Sequence, residues 1–127
     1  MLGCASAPKG VVTPVDGGVE LLLSQNPALA EAGGQVSVTL EEGRILVVRG
    51  EGNDAIAVDQ RCPHRGCSVA WKSDAKAFVC PCHGSTFEAD GALREGPAKT
   101  PLRAYEAAVE GERVVVSLAQ PAAASST

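Results

Sequence analysis

The 127 residues are 45% hydrophobic and carry a net charge of −4, with eleven Lys and Arg scattered among fifteen acids. That balance suits one domain with a modest core and gives no basic stripe for a nucleic-acid partner. No stretch approaches the ~20 apolar residues of a membrane-crossing helix, and no repeat or second compositional regime divides the chain.

Residues 1–18 contain Pro8, Pro14 and Gly17-Gly18 and read as a flexible tail or linker. Cys4, the odd member of five cysteines, lies in Met1-Leu2-Gly3-Cys4-Ala5-Ser6. Small residues around a Cys are what remains at a cleaved bacterial lipoprotein signal, but no charged or long apolar leader precedes this one. Cys4 is therefore read either as a lipid attachment point whose leader is missing or as a cysteine in a mobile tail. Membrane contact is expected only through that anchor, a missing leader or a partner.

The domain is expected over 19–119 and is all-β. Glu20 to Leu23 form a first strand, and a short stretch runs from Asn26-Pro27 to Gly33-Gly34. Val36, Val38 and Leu40 then share one strand face, and Ile45, Val47 and Val48 return after the turn at Glu42-Gly43. Ala55 to Val58 leads into a first box, Cys62-Pro63-His64-Arg65-Gly66-Cys67. A hairpin of Val69 to Trp71 and Ala77 to Val79 connects it to a second box, Cys80-Pro81-Cys82-His83-Gly84-Ser85. Thr86 to Glu88, Ala104 to Val109 and Val114 to Leu118 complete the strands, and the tail 120–127 is expected to be disordered. Short strands at regular spacing argue a β-sandwich or stacked sheets.

The boxes hold both histidines and four of the five cysteines, and each contributes one Cys and one His at close spacing plus a further Cys. Two mixed pairs and two spare thiols suggest a metal cluster beside a disulfide. A [2Fe–2S] unit with two thiolates on one iron and two imidazoles on the other needs this donor set. Replacing two thiolates by neutral imidazoles takes the oxidised centre from about −2 to about zero formal charge and raises its potential. Zinc accepts the same donors, but the paired Cys-x2–4-Cys and His-x3–5-His spacing is not present as a matched set. A disulfide scaffold alone leaves the two histidines unexplained.

C-x-H-x-G-C, twelve residues, then C-P-C-H-G-S resembles the Rieske iron–sulfur family. The resemblance implies that Cys62 and Cys80 ligate the inner iron of one [2Fe–2S] cluster, that His64 and His83 ligate the outer iron, and that Cys67 and Cys82 form a disulfide. It extends to Gly96-Pro97-Ala98, similar to the family's proline loop over the cluster. The implied fold is an antiparallel β base with a small inserted cluster-binding subdomain, here about 60–98. Gly66, Gly84, Ser85, Phe87 and Pro97 would surround the ligands, with the Ser85 hydroxyl reaching a bridging sulfide. A disulfide would place the protein on the periplasmic or extracytoplasmic side of a bacterial membrane.

Two departures qualify the resemblance. High-potential members usually carry Tyr where this chain has Phe87, so one O–H donor to a ligand sulfur is missing. A positive but intermediate potential follows, within a family range of roughly −150 to +300 mV. Arg65 stands where quinol-oxidising members commonly have an apolar residue, and it adds charge beside His64 at the docking edge formed by His64 and His83. The reading preferred is one-electron transfer as an exported subunit of a quinol-oxidising cytochrome bc-like respiratory complex, with a cytochrome or oxidase subunit as partner and quinol as the donor. The alternatives are the small subunit of a molybdenum-containing oxidase of the arsenite oxidase type and a Rieske ferredoxin serving an oxygenase. With both histidines committed to iron, no catalytic residue is assigned and catalysis belongs to the assembly.

Overall fold

The computed structural model describes residues 9–15, 17–40, 43–60, 69–72, 75–80, 85–89, 91–95 and 102–121. Expectations for Cys4, for the first box, for Cys82, His83 and Gly84, for Arg65, for Pro97 and for the tail from 122 fall outside these residues.

Eleven strands form among them: Thr13–Val15 (β1), Gly18–Leu22 (β2), Gln35–Leu40 (β3), Gly43–Arg49 (β4), Ala55–Asp59 (β5), Ala70–Lys72 (β6), Ala77–Val79 (β7), Thr86–Phe87 (β8), Leu93–Glu95 (β9), Ala104–Glu110 (β10) and Arg113–Pro121 (β11). A 3-10 helix, Pro27–Ala30, stands between β2 and β3. The all-β expectation holds: every strand pair is antiparallel, in one seven-stranded sheet ordered β1-β2-β11-β10-β5-β4-β3 and one four-stranded sheet ordered β6-β7-β8-β9.

The seven-stranded sheet is the base, and it folds over its own core. Val19 and Leu21 of β2 share an apolar cluster with Val36 and Val38 of β3, although these strands lie near opposite ends of the sheet order. The incoming segment closes the gap, since Gly10 N–H donates to Ser37 O at 2.7 Å.

β4 explains how a second core forms. Four successive residues, Ile45, Leu46, Val47 and Val48, are buried. Alternate side chains of a strand point to opposite faces, so Ile45 and Val47 enter the base core while Leu46 and Val48 enter a second cluster. That cluster contains Val58, Leu102 and Ala104 with Val69, Phe78, Cys80 and Phe87. It is the apolar joint between base and small sheet.

The small sheet is an insertion. The chain leaves the base at the end of β5 and returns at β10, and these two strands are neighbours, pairing Val58 with Ala104 and Ala57 with Tyr105. A long excursion between paired strands leaves the base ladder intact.

Three features differ from expectation. β1 lies in the stretch read as a linker, where Pro14 pairs opposite Val19; at the outer edge of a sheet the N–H that proline lacks is not needed. β9 was not foreseen, because Leu93–Glu95 is exposed throughout and has no alternation to reveal it. β11 runs to Pro121, past the expected end at Leu118 and into the span 120–127 read as a disordered tail, and Tyr105 pairs with Pro121 across an irregularity in register.

Candidate metal centre

One row of the small sheet organises the site. Ala70 pairs with Val79, Val79 with Thr86, and Thr86 with Glu95. Ala70 begins β6, Val79 ends β7, Thr86 begins β8 and Glu95 ends β9. The chain therefore passes into residues 61–68, 81–84 and 96–101 from the same end of the sheet. These three spans contain the first box, the middle of the second, and Gly96-Pro97-Ala98.

The feet of the two box segments are closed by backbone bonds. Val69 N–H donates to Gln60 O and Cys80 N–H donates to Ser85 O, both at 2.8 Å. At the sheet's other end Leu102 N–H donates to Gly91 O at 2.8 Å. Gly91 has φ +92°, and a Cβ there would lie 2.6 Å from Leu102 O, so only glycine permits this approach.

Of the four expected ligands, Cys80 lies within the described residues. It is 1% exposed, against Phe78, Phe87 and Val69. Ser85, at the far foot of the same turn, is fully buried, as is Phe87. The Phe78 ring meets Trp71 edge-on at 4.9 Å between centroids. A thiolate in such surroundings costs solvation unless a cationic centre compensates it. A buried Cys with a buried hydroxyl residue five positions on suits an inner metal ligand with a nearby hydrogen-bond donor, so the chemistry of this foot fits an iron–sulfur cluster.

The charged contacts of the small sheet lie toward its opposite end. Arg94 donates from Nε and Nη2 to the two carboxylate oxygens of Glu88, each at 2.9 Å, and its Nη groups also reach Ala75 O and Lys76 O at 3.3 Å. The hydrogen bond from Arg94 holds the Glu88 carboxyl below its ordinary range, and Glu88 in turn raises the guanidinium.

Three polar residues at the flanks of span 61–68, Gln35, Ser37 and Gln60, escaped sequence reasoning. Gln35 and Ser37 reach Trp71 and Gln60, but on paper they are only the polar face of an alternating strand. The burial of Gln60, just before the first box, shows their role only in the structure.

An antiparallel base with a small inserted sheet that presents two Cys/His segments at one end defines a class of iron–sulfur protein. The chain belongs to the Rieske [2Fe-2S] domain family, whose model matches residues 21–106, from β2 into β10. The cofactor is one [2Fe–2S] cluster. Among relatives, the chain is 48% identical over 56 residues to the cytochrome b6-f complex iron-sulfur subunit of Gloeobacter violaceus, covering 44% of this chain and 30% of that one. It is 38% identical to the plasma membrane Rieske protein PetC3 of Synechocystis PCC 6803, with a TM-score of 0.59 over 66% of this chain and 86% of that structure. The ferredoxin of carbazole 1,9a-dioxygenase from Nocardioides aromaticivorans shares the fold, with a TM-score of 0.61 at 22% identity over 88% of this chain and 98% of that one. The chain spans less than half the length of the curated relatives it matches.

Proposed function

We propose that this chain is the electron-transferring subunit of a quinol-oxidising complex of the cytochrome bc type. The observation that carries this reading is the shared end of the small sheet, from which both Cys/His segments and the proline-containing span depart. The similarity to cytochrome b6-f iron-sulfur subunits supports it from a separate direction.

In this reading Cys62 and Cys80 hold one iron, His64 and His83 hold the other, and Cys67 and Cys82 are joined as a disulfide. When bound, the cluster accepts and passes on a single electron. The protein shields the inner side of the centre with the apolar cluster around Cys80, and Ser85 supplies a hydroxyl to a sulfide. Phe87 supplies packing without a donor. His64, His83 and Arg65 form the docking edge for quinol and for a cytochrome. The functional unit is the base sheet with its insertion, 13–121 rather than 19–119, with the cluster-binding part at about 60–98. The disulfide cysteines support an extracytoplasmic location; among the described residues no helix is long and apolar enough to cross a membrane, and attachment is assigned to Cys4, a leader or the partner.

Anaerobic equilibration of the iron-loaded protein with excess quinol tests the reading. Quinol is expected to bleach the oxidised spectrum and produce the reduced-state EPR signal. A cluster that quinol leaves oxidised, but that a flavoprotein ferredoxin reductase reduces, would transfer the assignment to a ferredoxin serving an oxygenase. An arsenite oxidase-type role, compatible with Arg65, would instead show as reduction by a molybdenum subunit.

A further inference from the structure

The edge strand of the base touches both flanks of the segment that contains the first box. β3 alternates Val36 and Val38 into the base core with Gln35 and Ser37 on the opposite face. Ser37 Oγ donates to Gln60 Oε1, and Gln60 is the residue just before span 61–68. Gln35 Nε2 donates to Trp71 O, and Trp71 N–H donates to Gln35 Oε1, both at 3.0 Å. Trp71 lies three residues beyond Ser68, the last residue of that span.

The chemistry of these contacts is specific. β6 is the outer strand of the small sheet, so Trp71 presents its backbone N–H and C=O away from β7. A primary amide offers one acceptor and two donors in a plane, and Gln35 uses both kinds of atom on a single residue, as a peptide group of a neighbouring strand would. Gln60 is 5% exposed and would bury an unsatisfied amide oxygen without Ser37.

The anchor is itself rigid. Ser37 pairs with Leu46 of β4 on one side, and its carbonyl accepts from Gly10 on the other. Gln35 pairs with Val48, and Leu46 and Val48 both belong to the apolar joint that contains Cys80. One strand thus holds both feet of the first segment in register with the buried foot of the second.

We propose that Gln35 and Ser37 are positioning residues for the cluster: they fix the ends of residues 61–68 to the base and thereby set the placement of Cys62 and His64 against Cys80. The proposal rests on the ligand assignment made above. Gln35→Leu removes the amide at nearly constant volume, and Ser37→Ala is a smaller second variant that keeps the strand. Asn26→Ala serves as the comparison, because among the described residues the Asn26 side chain bonds Val11 and Leu22, in the base.

The experiment loads all four proteins with iron and sulfide and records EPR g-values, midpoint potential and amide exchange at Trp71. Gln35→Leu and Ser37→Ala are expected to shift or broaden the g-values and move the potential beyond replicate error, with at least tenfold faster exchange at Trp71 in Gln35→Leu. Asn26→Ala is expected to lower the melting temperature while leaving g-values and potential in place. Unchanged g-values and potential in both β3 variants would overturn the proposal alone. A wild-type protein that takes up iron and sulfide without the spectrum of a mixed-ligand cluster would overturn it together with the reading beneath it.

Discussion

In the proposed reading Ser85 and Phe87 lie near the cluster, where a single atom decides much. Both are fully buried at the β7–β8 turn beside Cys80, and Phe87 pairs across the sheet with Phe78. Phe87 fills space that a tyrosine could also fill, but it offers no donor. Phe87→Tyr is expected to raise the midpoint potential by about 40 mV, the equivalent of about 1 kcal/mol of hydrogen bonding gained on reduction; an unchanged or lower value in protein-film voltammetry would reject that role. Phe87→Ala should destabilise the fold by about 4 kcal/mol through the cavity it leaves, read from urea unfolding. Cys80, Ser85 and Phe87 could be singled out in the sequence by residue type and spacing, and the structure buries all three. Gln35 and Ser37 could not, since a polar residue on an alternating strand looks the same whether it faces water or a buried amide.

At the scale of elements, buried polar side chains and one exposed ion pair fasten turns that apolar packing leaves loose. Asn26, 2% exposed, accepts from Val11 N–H and donates to Val11 O and Leu22 O at 2.7 to 2.9 Å. Its replacement by Ala should cost about 2 kcal/mol, because the partners lose hydrogen bonds in a partly buried place; chemical denaturation measures it. The Arg94–Glu88 pair ties the turns at one end of the small sheet. Because Arg94 depresses the Glu88 carboxyl in the folded state, its stabilisation is complete above the unfolded carboxylate value and is lost as pH falls through the folded one. Glu88→Gln is therefore expected to lower the melting temperature slightly at neutral pH and to converge with wild type in acid; both groups are well exposed, so the difference is small. Most strands were readable from alternation, as with Val36 and Val38. β4 was readable as a strand but not as the seam of two cores, since a run of four apolar residues does not say what covers each face. β9 carries no pattern at all, and only its pairing with β8 makes it a strand.

For the whole molecule, the decisive feature is that a continuous base ladder is interrupted in sequence but not in space. β5 and β10 are neighbours, so everything between them can be specialised for the cluster while the base carries stability. The motif announced such an insertion by resemblance; the register that puts three spans at one end of the small sheet needed the structure, because pairing between short strands depends on long-range contacts that local pattern does not encode. A disulfide between Cys67 and Cys82 would link the first two spans across that end, and Cys82→Ser is expected to lower stability by about 3 kcal/mol in the chain-entropy account, with a thiol assay under denaturing conditions confirming one bridge in the wild type. In the proposed reading two thiolates and two imidazoles, shielded on one side by the apolar joint around Cys80, hold the cluster at a positive but intermediate potential. Direct voltammetry of the iron-loaded protein, with EPR on the same sample, tests it most directly. A reversible one-electron couple at positive potential is expected, below the top of the family range of roughly +300 mV. A couple near the roughly −400 mV of four-cysteine plant-type centres, or a colourless protein without a couple, would contradict it.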